Sequence, residues 1–213
     1  MRAPWCVRCG QPEPLFGRCR LCADWPPALG WVRSAVWLDS GARAAVHALK
    51  YGGLPRIAAE LAAVMVDLGV PGLDSAWLVP VPLGPKRLRQ RGYNQSERLA
   101  RALGNRWRRP VVELLARCRE TATQTALTPE ARLANVAGAF ETRNADVGSR
   151  NAGMCEGSAF RVPSSAFERP LILVDDVFTT GATLAEAARA LERQGARTVL
   201  AVTFGRAVIP DFT

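Results

Sequence analysis

Two adjacent carboxylates, Asp175 and Asp176, stand between a branched apolar run at residues 171–174 and a hydroxyl-rich turn, Thr179-Thr180-Gly181-Ala182-Thr183. The threonine hydroxyls are donors, and Gly181 lets the backbone turn so that successive N–H groups at a helix start face one point, which favours an anion. Carboxylates directly before a phosphate cradle would repel the phosphate, so their expected partners are neutral diols or a Mg²⁺ ion. A ribose 5-phosphate supplies a diol and a phosphate at that separation. The turn is not a Walker loop, because it lacks the Gly-x4-Gly-Lys-Ser/Thr pattern and contains no lysine. The competing reading is an ordinary strand and turn.

A second group is basic: Lys86, Arg87, Arg89 and Arg91, closed by Gly92. Following a buried run at residues 76–82, it reads as a loop whose cations converge on a pyrophosphate, or else as a solvated charged face. A third group is Cys6-x-x-Cys9 and Cys19-x-x-Cys22. Two such pairs read as a tetrahedral Cys₄ zinc site, structural because four thiolates leave no open coordination position. Disulfides are the alternative use of four cysteines, but no apolar signal core precedes Cys6, and a reducing cytosol disfavours them. His47, the sole histidine, sits at helical spacing among Ala and Leu residues and is expected to be structural. The six tryptophans are expected in the core, since their scatter gives no stacking-platform spacing.

Elements must bring these groups together. Residues 171–174 show no polar alternation, as in a strand buried on both faces of a parallel sheet. Leu184, Ala187, Ala188 and Leu191 then follow at helical spacing, Gly195 is positioned to stop the helix, and residues 198–204 form another apolar run. That is a βαβ crossover, and open α/β sheets bind ligands outside the carboxyl ends of their strands. A strand is expected over 31–38, helices over 42–49 and 57–68 with a Lys50-Tyr51-Gly52-Gly53 turn between them, and a helix capped by Asn94. The fold class is therefore α/β, a parallel sheet flanked by helices with a small N-terminal zinc knuckle. Pro26-Pro27 places a boundary near residue 30, giving a Cys₄ module over 1–30 and an α/β domain over 31–213.

At 213 residues and 48% hydrophobic content, the chain can bury one sizeable core plus a small appendage. No apolar run approaches the roughly 18 residues needed to span a bilayer, and a cytoplasmic location is expected. The net charge of +9 is almost wholly arginine, since only Lys50 and Lys86 are lysine. Arginine suits bidentate phosphate contacts, but charge alone does not choose between polyphosphate and nucleic acid.

The acidic pair and Thr/Gly turn resemble the phosphoribosyl pyrophosphate (PRPP) loop of type I phosphoribosyltransferases. Val79-Pro-Val-Pro82, Arg91-Gly92-Tyr93-Asn94-Gln95, and Thr123-Gln124 with Leu127, Arg132, Asn135, Gly138 and Phe140 extend the likeness over nearly the whole chain, which resembles the ComF family. The resemblance implies an N-terminal Cys₄ zinc module on a type I phosphoribosyltransferase domain, and a link to DNA handling in natural competence. It implies pentosyl transfer from PRPP, with Asp175 and Asp176 on the ribose hydroxyls and Mg²⁺, residues 179–183 on the 5-phosphate, and Arg87, Arg89, Arg91 and Gly92 on the pyrophosphate. Residues 119–132, with Thr123, Gln124 and Arg132, are expected to form a lid. Residues 141–169, rich in Ser, Asn, Gly and Ala, look like an insertion and are expected to be mobile. The alternatives are a non-enzymatic factor with a vestigial site that binds single-stranded DNA or a competence helicase, and a PRPP sensor.

Overall fold

The computed structural model describes residues 5–12, 19–52, 54, 56–119, 136–143 and 164–207. Its centre is a four-stranded parallel sheet in the order β1-β6-β5-β2, formed by β1 (Leu29–Trp37), β2 (Trp77–Pro80), β5 (Leu171–Phe178) and β6 (Val199–Arg206). The two central strands are the ones with unbroken apolar runs, because each has a neighbour on both edges and a layer on both faces. The α/β class is as the sequence predicts.

On one face pack α1 (Ser40–Tyr51), α2 (Ile57–Met65) and α4 (Gln95–Trp107), burying Leu49, Leu61, Met65, Leu99 and Leu103 against Ile172, Val174 and Val202. On the other face lies α5 (Ala182–Glu192), with Leu184, Ala188 and Leu191 against Leu171, Leu173 and Val199. Cys6, Cys9, Cys22 and Trp25 are buried in this same second core. A small antiparallel pair, β3 (Leu115–Arg117) with β4 (Phe140–Thr142), completes that side through Leu115 and Phe140. The pair falls outside every strand the sequence predicts. Among the described residues, no helix is long and apolar enough to cross a membrane.

The basic stretch, expected to be a loop, is a short helix, α3 (Pro85–Arg91). Pro85 at its first turn supplies a helical φ where no N–H is needed, and Gly92 ends it at φ 78°, donating its N–H to Leu88 O. None of its residues is buried, so its ends specify it rather than an apolar stripe. The Lys50-Tyr51 turn is likewise the last turn of α1. Thr123, Gln124 and Arg132 of the expected lid lie outside the described residues, as does 144–163 of the expected insertion.

Candidate functional site

The two carboxylates sit in the last half of β5, where the strand runs out towards α1 and α4. Asp175 Oδ1 accepts from Ser96 Oγ at 2.8 Å and from the Asp176 N–H at 2.9 Å. Ser96 is held there by the helix cap: Asn94 Oδ1 accepts from the Ser96 N–H, while Asn94 Nδ2 donates to Val81 O just beyond β2. Thus the Asn94 cap, read from sequence, fixes the hydroxyl that orients the first acid. Desolvation, then the neighbouring Asp176 charge, push the Asp175 carboxyl up to about 7.

Asp176 is buried, and its Oδ2 lies 3.0 Å from Lys50 Nζ. Among the described residues no hydrogen bond reaches that oxygen, so Lys50 is its charge partner. Two adjacent carboxylates, one of them held by a lysine alone, fit a diol or a hard divalent cation, both of which seek carboxylate oxygen. Sequence reasoning missed Lys50 and Ser96 as site residues. Only the cap at Asn94 signalled the second of them.

Beyond Phe178 the chain turns through Thr179, Thr180 and Gly181 into α5. Gly181 has φ 76°, and a Cβ there would fall 2.4 Å from Trp25 Cζ2, so both conformation and packing demand glycine. Thr180 is buried, and its Oγ1 accepts from the Ala182 N–H at 3.4 Å. Thr183 is half-buried in the first turn. The turn therefore places the amino end of α5 directly after the acidic pair, with its positive dipole end outward.

Of the predicted pyrophosphate residues, Arg91 is tied to the segments that hold the acidic pair's partners. Its guanidinium lies 5.1 Å over the Tyr51 ring, next to Lys50, and it donates to Gln95 Oε1. The Tyr93 hydroxyl donates to Leu49 O, tying the same segment to α1. Arg89 is exposed and Arg87 half-buried on α3. His47 is exposed on α1, 5.0 Å from Tyr51 between ring centroids, so it is not a core residue.

The four cysteines converge. Their sulfurs lie within 4.8 Å of one another, with Cys6 Sγ 3.7 Å from Cys22 Sγ and Cys9 Sγ 3.5 Å from Cys19 Sγ. Four such donors could hold one metal ion, and a soft S₄ set suits zinc or iron–sulfur chemistry. Burial pushes the Cys22 thiol up to about 12 and raises Cys9 as well, so a metal must displace protons. Arg8 donates to the carbonyls of Cys22, Trp25, Pro26 and Leu29, which makes it a structural clamp. Arg206 donates to Cys9 O and Gln11 Oε1 and lies 4.0 Å over Phe178. Trp25 meets Phe178 edge-on at 6.1 Å, so the cysteine module abuts the back of the Thr/Gly turn.

No family model matches the chain. It is 31% identical over 204 residues to the DNA utilization protein YhgH of Escherichia coli O6:H1, covering 91% of this chain and 74% of that protein. The Salmonella typhi protein of the same name is 32% identical over 206 residues, with the same coverage. The competence protein ComFC of Bacillus subtilis strain 168 is 26% identical over 204 residues, covering 89% of this chain and 72% of that one.

Proposed function

Because this chain belongs to the ComF family, as its relatives establish, we propose that the pocket at the end of β5 binds PRPP with Mg²⁺ and serves DNA utilization or competence. The observation that carries this reading is the adjacent acid pair, Asp175 on Ser96 and Asp176 on Lys50, set immediately before a Gly181-initiated helix start. Asp175 and Asp176 hold the ribose diol, and residues 179–183 hold the 5-phosphate. Arg91 borders the diphosphate, with Arg87, Arg89 and Gly92 lining its outer approach. Asp175 and Asp176, together with the ligand, would hold Mg²⁺, which would supply charge neutralisation at the diphosphate. In phosphoribosyl transfer, the bond from ribose C1 to the diphosphate oxygen breaks as a bond from C1 to an acceptor forms. The carboxylates stabilise the positive charge that develops on the sugar, and no covalent nucleophile is needed from the protein.

The metal of the Cys₄ site is zinc and structural in this reading, since its four thiolates leave no position for substrate. Residues 1–30 form this module, and 31–213 the phosphoribosyltransferase-like domain. A cytoplasmic setting belongs to the proposal, because reduced thiols are what the site requires. Thermal unfolding tests the ligand: PRPP with Mg²⁺ at about 100 times its dissociation constant should stabilise the protein by roughly 2.7 kcal/mol. Asp175→Asn/Asp176→Asn should abolish that gain, and a wild-type protein indifferent to PRPP would refute the pocket's assignment.

A second reading, direct binding of single-stranded DNA, draws on a separate surface. Trp5 and Trp37 are 44% and 41% exposed, their rings 6.1 Å apart, in a groove beside β1 also lined by Arg33, Ser34 and the buried Arg206. Aromatic faces beside cations suit stacked bases with a phosphate backbone. Trp37→Ala should weaken single-stranded DNA binding roughly 5- to 100-fold, corresponding to about 1–3 kcal/mol per stacked base, and leave PRPP binding unchanged. Filter binding that finds no loss removes this surface.

A further inference from the structure

The proposed site holds one cation to which the ligand reading gives no task. Lys50, in the last turn of α1, holds its ammonium 3.0 Å from Asp176 Oδ2, an oxygen that no other described group bonds. The two side chains differ in exposure, 23% for Lys50 against 6% for Asp176, so the ammonium lies on the solvent side of the carboxylate. The last turn of α1 is held from both sides: Tyr51 lies against Arg91, and Leu49 O accepts from the Tyr93 hydroxyl. This turn thereby joins the acidic end of β5 to the basic end of α3, and Lys50 stands where the two meet. Lys50 is one of only two lysines in a chain whose positive charge is almost wholly arginine. A compact ammonium on a flexible four-carbon stem can change partners, whereas a planar guanidinium is suited to a fixed fork.

A divalent cation brought to Asp176 would meet the ammonium at the same oxygen, and two cations cannot share it without strong repulsion. The stem lets the ammonium swing outward, and the nearest anion for it is then the diphosphate that arrives with the metal. We propose that Lys50 is an exchangeable ligand-binding residue, paired with Asp176 while the pocket is free and transferred to a diphosphate oxygen when PRPP with Mg²⁺ occupies the acidic pair. This rests on the PRPP reading and adds to it a residue that senses the diphosphate.

Calorimetry on the full chain, with ribose 5-phosphate and PRPP as probes and Mg²⁺ in both, separates the possibilities. Lys50→Met should weaken PRPP about tenfold or more, as the loss of one charge-assisted contact would. Ribose 5-phosphate, lacking the diphosphate, should change by less than about threefold. Equal losses for the two ligands would mean that Lys50 only holds Asp176 in place, and no loss for either would mean that it touches neither; both overturn the assignment. If wild-type protein binds ribose 5-phosphate but not PRPP, the pocket reading itself fails and the role of Lys50 falls with it.

A second readout needs no variant at position 50. With only two lysines in the chain, ¹³C-lysine labelling gives two side-chain Cε signals, distinguished by Lys86→Arg. The Lys50 signal should move on adding PRPP with Mg²⁺, to a position different from that reached with ribose 5-phosphate and Mg²⁺. A Lys50 signal that stays still while calorimetry registers PRPP binding, or that takes the same position with both ligands, overturns the transfer.

Discussion

Asp175 carries the clearest single-residue consequence. Its carboxyl moves from 3.8 to about 7 because burial and the charge of Asp176 oppose ionisation more than Ser96 and the Asp176 N–H favour it. A carboxyl raised on folding binds more protons in the native state, so it costs stability as pH rises through the interval between the two values. Asp175→Asn should therefore unfold at a higher temperature than wild type at pH 8, and the gap should narrow as pH falls towards 4. Melting curves at both ends check the sign, and a gap that widens at low pH would refute the cause. The acids were legible because their neighbours in sequence are also their neighbours in space. Ser96 and Lys50 were not, because the bonds that recruit them span long stretches of chain; the Ser96–Asp175 bond alone spans 79 residues.

Among the elements, the two central strands and their crossover helix were readable from unbroken apolar runs followed by helical spacing. α3 was not, since no buried stripe marks it and its four cations could equally line a loop. β3 and β4 escaped for another reason: strands of three residues give too little alternation to register. The Thr/Gly turn shows how elements far apart in sequence constrain each other, because Trp25, three residues after Cys22, fills the space a side chain at 181 would need. Gly181→Ala should cost about 2–4 kcal/mol through a left-handed backbone and overpacking against Trp25. Chelation of the Cys₄ metal should act on the same turn from behind. Both perturbations are expected to weaken PRPP binding measured at a temperature where the protein remains folded. Metal removal that leaves PRPP affinity and melting temperature unchanged would separate the cysteine module from the turn.

At the scale of the whole molecule, composition gave a size, a charge and a class, while the order β1-β6-β5-β2 came only with the structure. That order is what brings α1 and α4 to the end of β5, and with them the cation and hydroxyl that face the acids. It also leaves β1 at an edge, where two tryptophans expected in the core are half exposed. Sequence could not foresee this, because burial of an aromatic residue depends on which strand is left without a neighbour. The residues lining the β1 groove include neither the acids nor the Thr/Gly turn, so ligand and DNA need not compete. Isothermal titration of PRPP into the full chain, with and without Mg²⁺, decides whether the end of β5 is a PRPP site. Saturable one-to-one binding that requires Mg²⁺ and is lost in Asp175→Asn/Asp176→Asn is expected; no binding with Mg²⁺ present, or binding that survives loss of both carboxylates, would rule the site out.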